Sequence, residues 1–293
     1  MKPCAGRGWR ACAALAVAAL GVAACPKHLP IARPYAPPTV AELEAALAAR
    51  QGAVSSMNAR VKATSWLGGD RIHATVLMLV DRPGRLRLEA EVSLQGTVAI
   101  LATDTQRFAF LDTQHNELRR GAACPANVAS LIRIPLGPVD VAAILLGDVH
   151  VPADRSNPES AGAYVPTVDW DGDRRVDVLV LPGSITSYRL FFERRGPGDF
   201  RLVGATELDH DGRPRWRTAY ESFTSVPTGK PGGGAAVDLP QTIRFAEHGG
   251  SFDDGVEIKF KERTLNEEAA AGAFDLPAPK GATVLEVACP PGR

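Results

Sequence analysis

The pattern of apolar and polar positions divides the chain into stretches of different period. Val40 to Arg50 repeats apolar residues at helical spacing, with Leu43 and Leu47 on one face and Val40 beside them. Thr39 stands where an N-cap belongs, and Gly52 is placed to end the helix. From Ala59 onward the period drops to two. Arg85 to Val92 alternates charged with apolar residues, and Val256 to Lys261 does the same, so each predicts a strand with one buried and one wet face. Further strands are predicted at Ala59–Leu67, Arg71–Val80, Thr97–Ala102, Arg107–Leu111, Arg174–Leu181, Ser187–Arg194, Arg201–Leu208, Arg215–Phe223 and Thr242–Ala246. Gly68-Gly69-Asp70, Arg82-Pro83-Gly84, Gly196 to Asp199 and Asp211-Gly212 read as the turns between them, and the short spacing predicts an antiparallel meander.

Two segments break this rhythm. Pro125–Ile132 and Val139–Leu146 read as short helices, divided by Pro135, Gly137 and Pro138 and closed by Gly147. Helices inserted in an otherwise antiparallel sheet predict a mainly β, α+β fold with helices on one side. Asp154–Gly162 and Pro227–Gly234 read as loops, and residues 40–293 are expected to form one domain.

Composition adds little until the N-terminus is considered. Hydrophobic residues make up 45% of the 293, enough for a core, and Lys+Arg equals Asp+Glu at 33 each, so no basic excess points to nucleic acid. Lys2, Arg7 and Arg10 precede an uncharged run from Ala11 to Ala24, too short to span a bilayer, which reads as a signal peptide over residues 1–24. Val22-Ala23-Ala24-Cys25 resembles the bacterial lipobox, in which the cysteine thiol takes a diacylglyceryl group and the new amine is acylated, commonly as palmitate. Each buried methylene contributes about 0.8 kcal/mol and a single chain binds only reversibly, so two or three chains on Cys25 would make a durable anchor. Pro26 stands where an aspartate would favour inner-membrane retention, so the resemblance implies the outer membrane. Residues 25–39, with Pro30, Pro34, Pro37 and Pro38, read as an extended linker.

No catalytic pattern is found: no HExxH, GxSxG, Walker loop or dinucleotide fingerprint. His73, His115, His150 and His210 are scattered and read as surface or packing residues. Asp169 to Asp173 suggests a calcium loop, but its glycine is misplaced and Val180 holds the closing glutamate position, so it reads as a turn. The pairs Arg119-Arg120 and Arg194-Arg195 read as solvated charges. Neither an enzyme, a metal nor a cofactor is expected. Cys4 and Cys12 leave with the signal and Cys25 is acylated. Cys124 and Cys289 remain, as a disulfide or as two separate buried thiols.

Residues Asn58 to Val151 resemble the LolA/LolB-like lipoprotein family. The likeness is carried by Arg85 to Ala90, Ser93-Leu94-Gln95-Gly96, Leu131 to Pro138 and Ile144 to Gly147 in that order, with a Phe, Pro and Gly ending over Phe274–Ala282. The second half is longer than in typical members. The resemblance implies an incomplete (half) antiparallel β-barrel around a hydrophobic cavity, with a helical lid and an N-terminal helix. Val76, Met78, Leu86, Leu88, Val98, Ile100, Phe108, Phe110, Phe192, Trp216, Phe245 and Ile258 would face the cavity, and Leu131, Ile132, Ile144 and Leu145 would face it from the lid. The same residues would equally serve as a filled core. Leu94, at a hairpin tip, would be a membrane-contact residue. The implied role is a monomeric, lipid-anchored outer-membrane protein facing the periplasm. It would take acyl chains or a lipoprotein from a periplasmic carrier and pass them to the outer membrane. The second reading is a sensory or envelope-assembly lipoprotein that uses the half-barrel to bind protein.

Overall fold

A computed structural model describes residues 31–67, 70–92, 95–153, 164–229 and 235–290. The chain enters helix α1 (Val40–Ala53) through a capping box: Thr39 Oγ1 accepts from the Glu42 N–H at 3.2 Å, and the Glu42 carboxylate accepts from the Thr39 N–H at 2.7 Å. The helix continues through Gly52 to Ala53. Strands β1 (Ser56–Leu67), β2 (Asp70–Asp81), β3 (Arg85–Val92), β4 (Gly96–Thr103), β5 (Arg107–Asp112) and β6 (Glu117–Ala122) form an antiparallel meander. Helices α2 (Pro125–Ile132) and α3 (Pro138–Leu145) then cross to a second meander. It comprises β7 (Thr167–Asp171), β8 (Val176–Leu181), β9 (Ser187–Gly196), β10 (Asp199–Leu208), β11 (Pro214–Pro227), β12 (Ala236–Glu247) and β13 (Val256–Leu265). Strand β13 pairs with β1, Ile258 opposite Ala63, and so joins the two meanders. Strand β14 (Thr283–Val287) adds to β6 in parallel. The result is one open 14-stranded sheet with β14 and β7 at its edges, not closed into a barrel.

The helices cover one face of this sheet, the inner face. Val76, Met78, Leu86, Leu88, Leu101 and Phe108 from the first meander meet Leu190, Phe192, Trp216, Phe245 and Ile258 from the second in one apolar cluster. Leu43 of α1, Val128 and Ile132 of α2, and Ile144 and Leu145 of α3 insert into it. The face expected to line an open cavity is filled here by side chains of the protein. A polar cluster sits beside it. Asp148, with no solvent exposure, accepts from Arg82 at 2.6 Å and from the Val149 N–H at 2.7 Å. Arg50 donates to the Leu146 carbonyl, and Tyr220 to the Asp148 carbonyl. Burial lowers Arg50 to about 10 and, as the largest influence, raises the Asp148 carboxyl against the pull of Arg82.

One of the expected inward residues points the other way. Leu88 pairs with Leu101 and Ala90 with Ala99, so Ala99 and Leu101 lie on the inner face and Ile100, opposite Glu89, on the outer one; Val98 sits at a bulge between the pairs Ala90–Ala99 and Glu91–Thr97. Val98-Ala99-Ile100-Leu101 is apolar throughout, and a one-residue shift exchanges the faces without changing the pattern. The outer face tolerates Ile100 because the C-terminal segment covers it. Arg87 Nη1 donates to the carbonyls of Ala273 and Asp275 at 3.3 Å each, Arg120 to that of Leu276 at 3.4 Å, and the Arg85 guanidinium lies 4.8 Å from the Phe274 ring. Leu111 and Leu118, paired with each other on this face, are buried.

The segment read as a spacer is bonded to the domain from Ile31 onward. Trp170 Nε1 donates to the Ile31 carbonyl at 2.7 Å, and the Ile31 N–H reaches Gly172. Arg33 Nε lies 2.9 Å from the fully buried Asp177 carboxylate, whose other oxygen accepts from the Tyr35 hydroxyl at 2.8 Å. Burial is the main reason the Tyr35 hydroxyl is pushed up to about 12. The Arg33 guanidinium also sits 5.4 Å from the Trp170 ring, and Arg194 lies 4.3 Å from the Tyr35 ring. Ile31 therefore docks at the end of the sheet that carries the β7–β8 turn. That end, called proximal below, also carries the β2–β3, β4–β5 and β9–β10 turns. The distal end carries the β3–β4, β5–β6, β8–β9, β10–β11 and β12–β13 connections.

Candidate functional site

Helix α2 starts at Cys124, which forms a disulfide with Cys289, their Cα atoms 6.1 Å apart. Pro125 occupies the first turn, where no N–H partner is required, and Arg133 ends the helix in the left-handed conformation with its N–H on the Ala129 carbonyl. Val128 and Ile132, one turn apart, enter the core, and Asn127 Nδ2 holds the end of β6 through the Ala122 carbonyl at 2.9 Å. On another side of the helix Ala126, Ala129 and Ser130 are small. A cleft of about 790 Å³ therefore remains between α2 and the distal end of the sheet.

Its opposite wall is built by Trp66 of β1, Phe110 of β5, Phe245 of β12 and Val256 of β13. Arg119, Arg133, Glu247 and Asp254 contribute charge to the lining. Arg119 is held by Glu117 at 2.7 Å, and its guanidinium lies 5.9 Å from the Phe110 ring. Partial burial raises the Glu247 carboxyl above its ordinary range, with His248 pulling it back. The volume lies within the range of ligand pockets, about 300–1,000 Å³. The lining is more polar than apolar: Phe245 and Val256 are themselves buried in the core, and Trp66 and Phe110 stand among Arg119, Arg133, Glu247, Asp254 and the hydroxyls of Ser65, Ser130 and Ser251. Among the described residues no three His, Cys, Asp or Glu side chains converge as metal ligands would.

Of the sixteen residues expected to line a cavity, Phe110 and Phe245 line this cleft. Val76, Met78, Leu86, Leu88, Phe108, Ile132, Ile144, Leu145, Phe192, Trp216 and Ile258 are buried in the packed core. Leu131 packs half-buried against that core, Ile100 lies on the outer face, and Val98 is half-buried at the bulge in β4. Trp216 Nε1 donates to the buried Glu207 carboxylate at 2.6 Å, and Tyr188 and Arg215 also donate to it. Trp66, Ala129, Ser130, Arg133 and Val256 line the cleft but were not anticipated. The available signal was the run of small residues at helical spacing in α2. Arg119 and Arg120 face opposite sides of the sheet, one at the cleft and one under the C-terminal segment. Asp171 Oδ1 accepts from the N–H groups of Asp173 and Arg174, so the acidic run forms the β7–β8 turn. His115 lies against Asp112 at 2.8 Å, His150 against Asp140 at 2.9 Å, and His73 against Thr64 at 3.0 Å. Cys25 and Leu94 lie outside the described residues, as do most of the two loops expected at Asp154–Gly162 and Pro227–Gly234. No helix among the described residues is long and apolar enough to cross a membrane.

No protein-family model and no curated protein matches the sequence. Solved structures do share the fold. A Vibrio parahaemolyticus domain provisionally assigned to outer membrane lipoprotein sorting superposes with a TM-score of 0.51 at 10% identity, covering 80% of this chain and 95% of that one. A DUF1329 family protein from Desulfovibrio piger gives a TM-score of 0.50 at 10% identity, covering 82% and 98%. A LolA superfamily protein from Nitrosomonas europaea gives 0.45 at 12% identity, covering 77% and 94%. For the Vibrio parahaemolyticus and Desulfovibrio piger proteins the likeness, at 10% identity, is one of fold.

Proposed function

We propose that this protein is a lipid-anchored carrier or receptor of the bacterial envelope that binds an acyl chain, free or on a lipoprotein, in the cleft beside α2. The observation that carries the reading is that cleft: Trp66 and Phe110 set among charged and hydroxyl side chains, with the small residues of a short helix forming the other side. An acyl chain would lie along Trp66, Phe110 and Val256, with its polar head among Arg119, Arg133 and Glu247. Displacing α2 would lengthen the apolar surface by uncovering Val128 and Ile132. The fold shared with a domain assigned to lipoprotein sorting supports the same reading, as does the lipobox-like run ending at Cys25. Acylated at Cys25, the protein would face the periplasm from the outer membrane. Transfer by relative affinity needs no covalent chemistry, because burial of apolar surface, about 25 cal/mol per Å², supplies the binding energy.

The test is Ala129→Trp, in a Cys25→Ser protein produced without residues 1–24 and so free of both signal segment and acyl chains, titrated with a fluorescent fatty-acyl probe. Ala129 is only partly buried in the cleft wall, so the indole fills the cleft without entering the core. Excluding even four methylenes at about 0.8 kcal/mol each weakens binding by roughly 3 kcal/mol, more than a hundredfold in Kd. An unchanged Kd in a folded variant would place the acyl chain elsewhere.

A further inference from the structure

The candidate cleft and the start of the described chain lie at opposite ends of the sheet. Ile31 is held at the proximal end by Trp170 and Gly172, with Arg33 and Tyr35 fixed behind it by Asp177. The cleft is lined at the distal end by Trp66, Glu247, Gly250 and Asp254. Six residue steps separate Cys25 from Ile31. Fully extended, they reach roughly 20 Å at about 3.3–3.6 Å per residue. A strand such as β1, with 12 residues, is about 40 Å long at about 3.3 Å per residue. The tether therefore reaches only about half the height of the sheet, and its docking point is at the far end from the cleft.

We infer that the domain stands on its anchoring bilayer on the proximal end, with the β7–β8 turn next to the headgroups and the cleft mouth directed away from that bilayer. This rests on acylation of Cys25, as proposed above. The proximal surface offers exposed Asp173, Arg174 and Arg175 beside Ile31, a polar turn suited to a headgroup layer rather than to insertion. Four exposed apolar side chains, Ile72, Val92, Val165 and Ile185, lie at the distal end, where the cleft is, against Ile31 at the proximal end, which adjoins the tether. In this orientation the mouth faces a donor arriving through the aqueous space, and the docked segment Ile31–Tyr35 acts as a rigid foot. Cargo bound at the mouth leaves for the bilayer only after the domain tilts or hands it on.

The experiment uses the acylated full chain in vesicles. A fluorophore is placed at the proximal turn in Asp173→Cys, or at the distal β10–β11 turn in Asp211→Cys, with the Cys124–Cys289 disulfide kept oxidised. The quencher is a lipid spin-labelled on its headgroup. The label at residue 173 is expected to lose fluorescence and the label at residue 211 to keep it. Inserting twenty Gly/Ser residues between Pro26 and Lys27 is expected to abolish the difference. Equal quenching at both positions, or stronger quenching at 211, in protein that floats with the vesicles overturns the orientation alone. Protein that does not float overturns the anchor at Cys25, and the orientation with it.

Discussion

Arg33→Ala tests whether the Pro-rich segment is part of the folded domain. In the wild-type protein Arg33 is 14% exposed and Asp177 is not exposed at all, and they meet at 2.9 Å. Removing the guanidinium leaves a buried carboxylate whose remaining side-chain donor at hydrogen-bond distance, among the described residues, is the Tyr35 hydroxyl. Breaking a buried pair from one side costs about 3–5 kcal/mol, because an uncompensated charge stays behind. The site lies close to the chain's outer layer, so water can enter and the lower end, about 3 kcal/mol, applies. Loss of the cation–π contact with Trp170 adds about 0.5–1 kcal/mol. For a domain of this size 3 kcal/mol lowers Tm by roughly 6–12 °C. Guanidinium unfolding of the Cys25→Ser protein, followed by tryptophan fluorescence, reads both stability and the loosened surroundings of Trp170. A loss below about 1 kcal/mol would mean that the segment is a free tether and that the Arg33–Asp177 pair is of the weak surface kind. The double variant Arg33→Ala/Asp177→Leu should recover most of the loss, since the stranded charge is gone.

Other expectations follow from single residues. Cys25→Ser should leave an unprocessed, non-acylated protein; membrane retention after normal signal cleavage would remove the anchor from the account. Leu94→Glu should leave stability unchanged and slow acquisition or delivery of acyl cargo, because the β3–β4 hairpin is at the same end as the cleft; a fall of several kcal/mol in stability would show that the leucine is packed instead. Reducing the Cys124–Cys289 bond, which closes a sequence separation of 165, should cost about 2–5 kcal/mol and free the C-terminal segment from the outer face, seen as faster amide exchange over residues 273–287; unchanged exchange would mean that the arginine contacts hold it alone.

The parts of this fold legible in the sequence are those where a strand has one dry and one wet face. Strand β3 was readable to the residue because Arg85, Arg87, Glu89 and Glu91 alternate with apolar neighbours. Strand β4 was readable as a strand but not in its facing, because the C-terminal segment dries the outer side as well and Val98 to Leu101 carries no period. Strands β6, β7 and β14 were missed for different reasons. Glu117 to Ala122 is rich in charge that serves Arg119 on one face and Arg120 on the other. Thr167 to Asp171 looks like an acidic turn because its tryptophan binds the N-terminal segment. Thr283 to Val287 is a short edge strand, paired in parallel to β6 and tied there by the Cys124–Cys289 disulfide, contacts that no local period announces. The candidate site was mostly illegible because a cleft is a place where residues are small. Ala126, Ala129 and Ser130 have no chemistry that a pattern search detects, while the large apolar residues that attract attention fill the core.

The central claim is that the cleft beside α2 holds an acyl chain, and native mass spectrometry of the Cys25→Ser protein produced without residues 1–24, after incubation with phospholipid vesicles, tests it most directly. A species heavier by one lipid is expected, released by organic solvent and absent from Ala129→Trp. Protein that remains at its own mass, or an adduct that persists in Ala129→Trp, would contradict it.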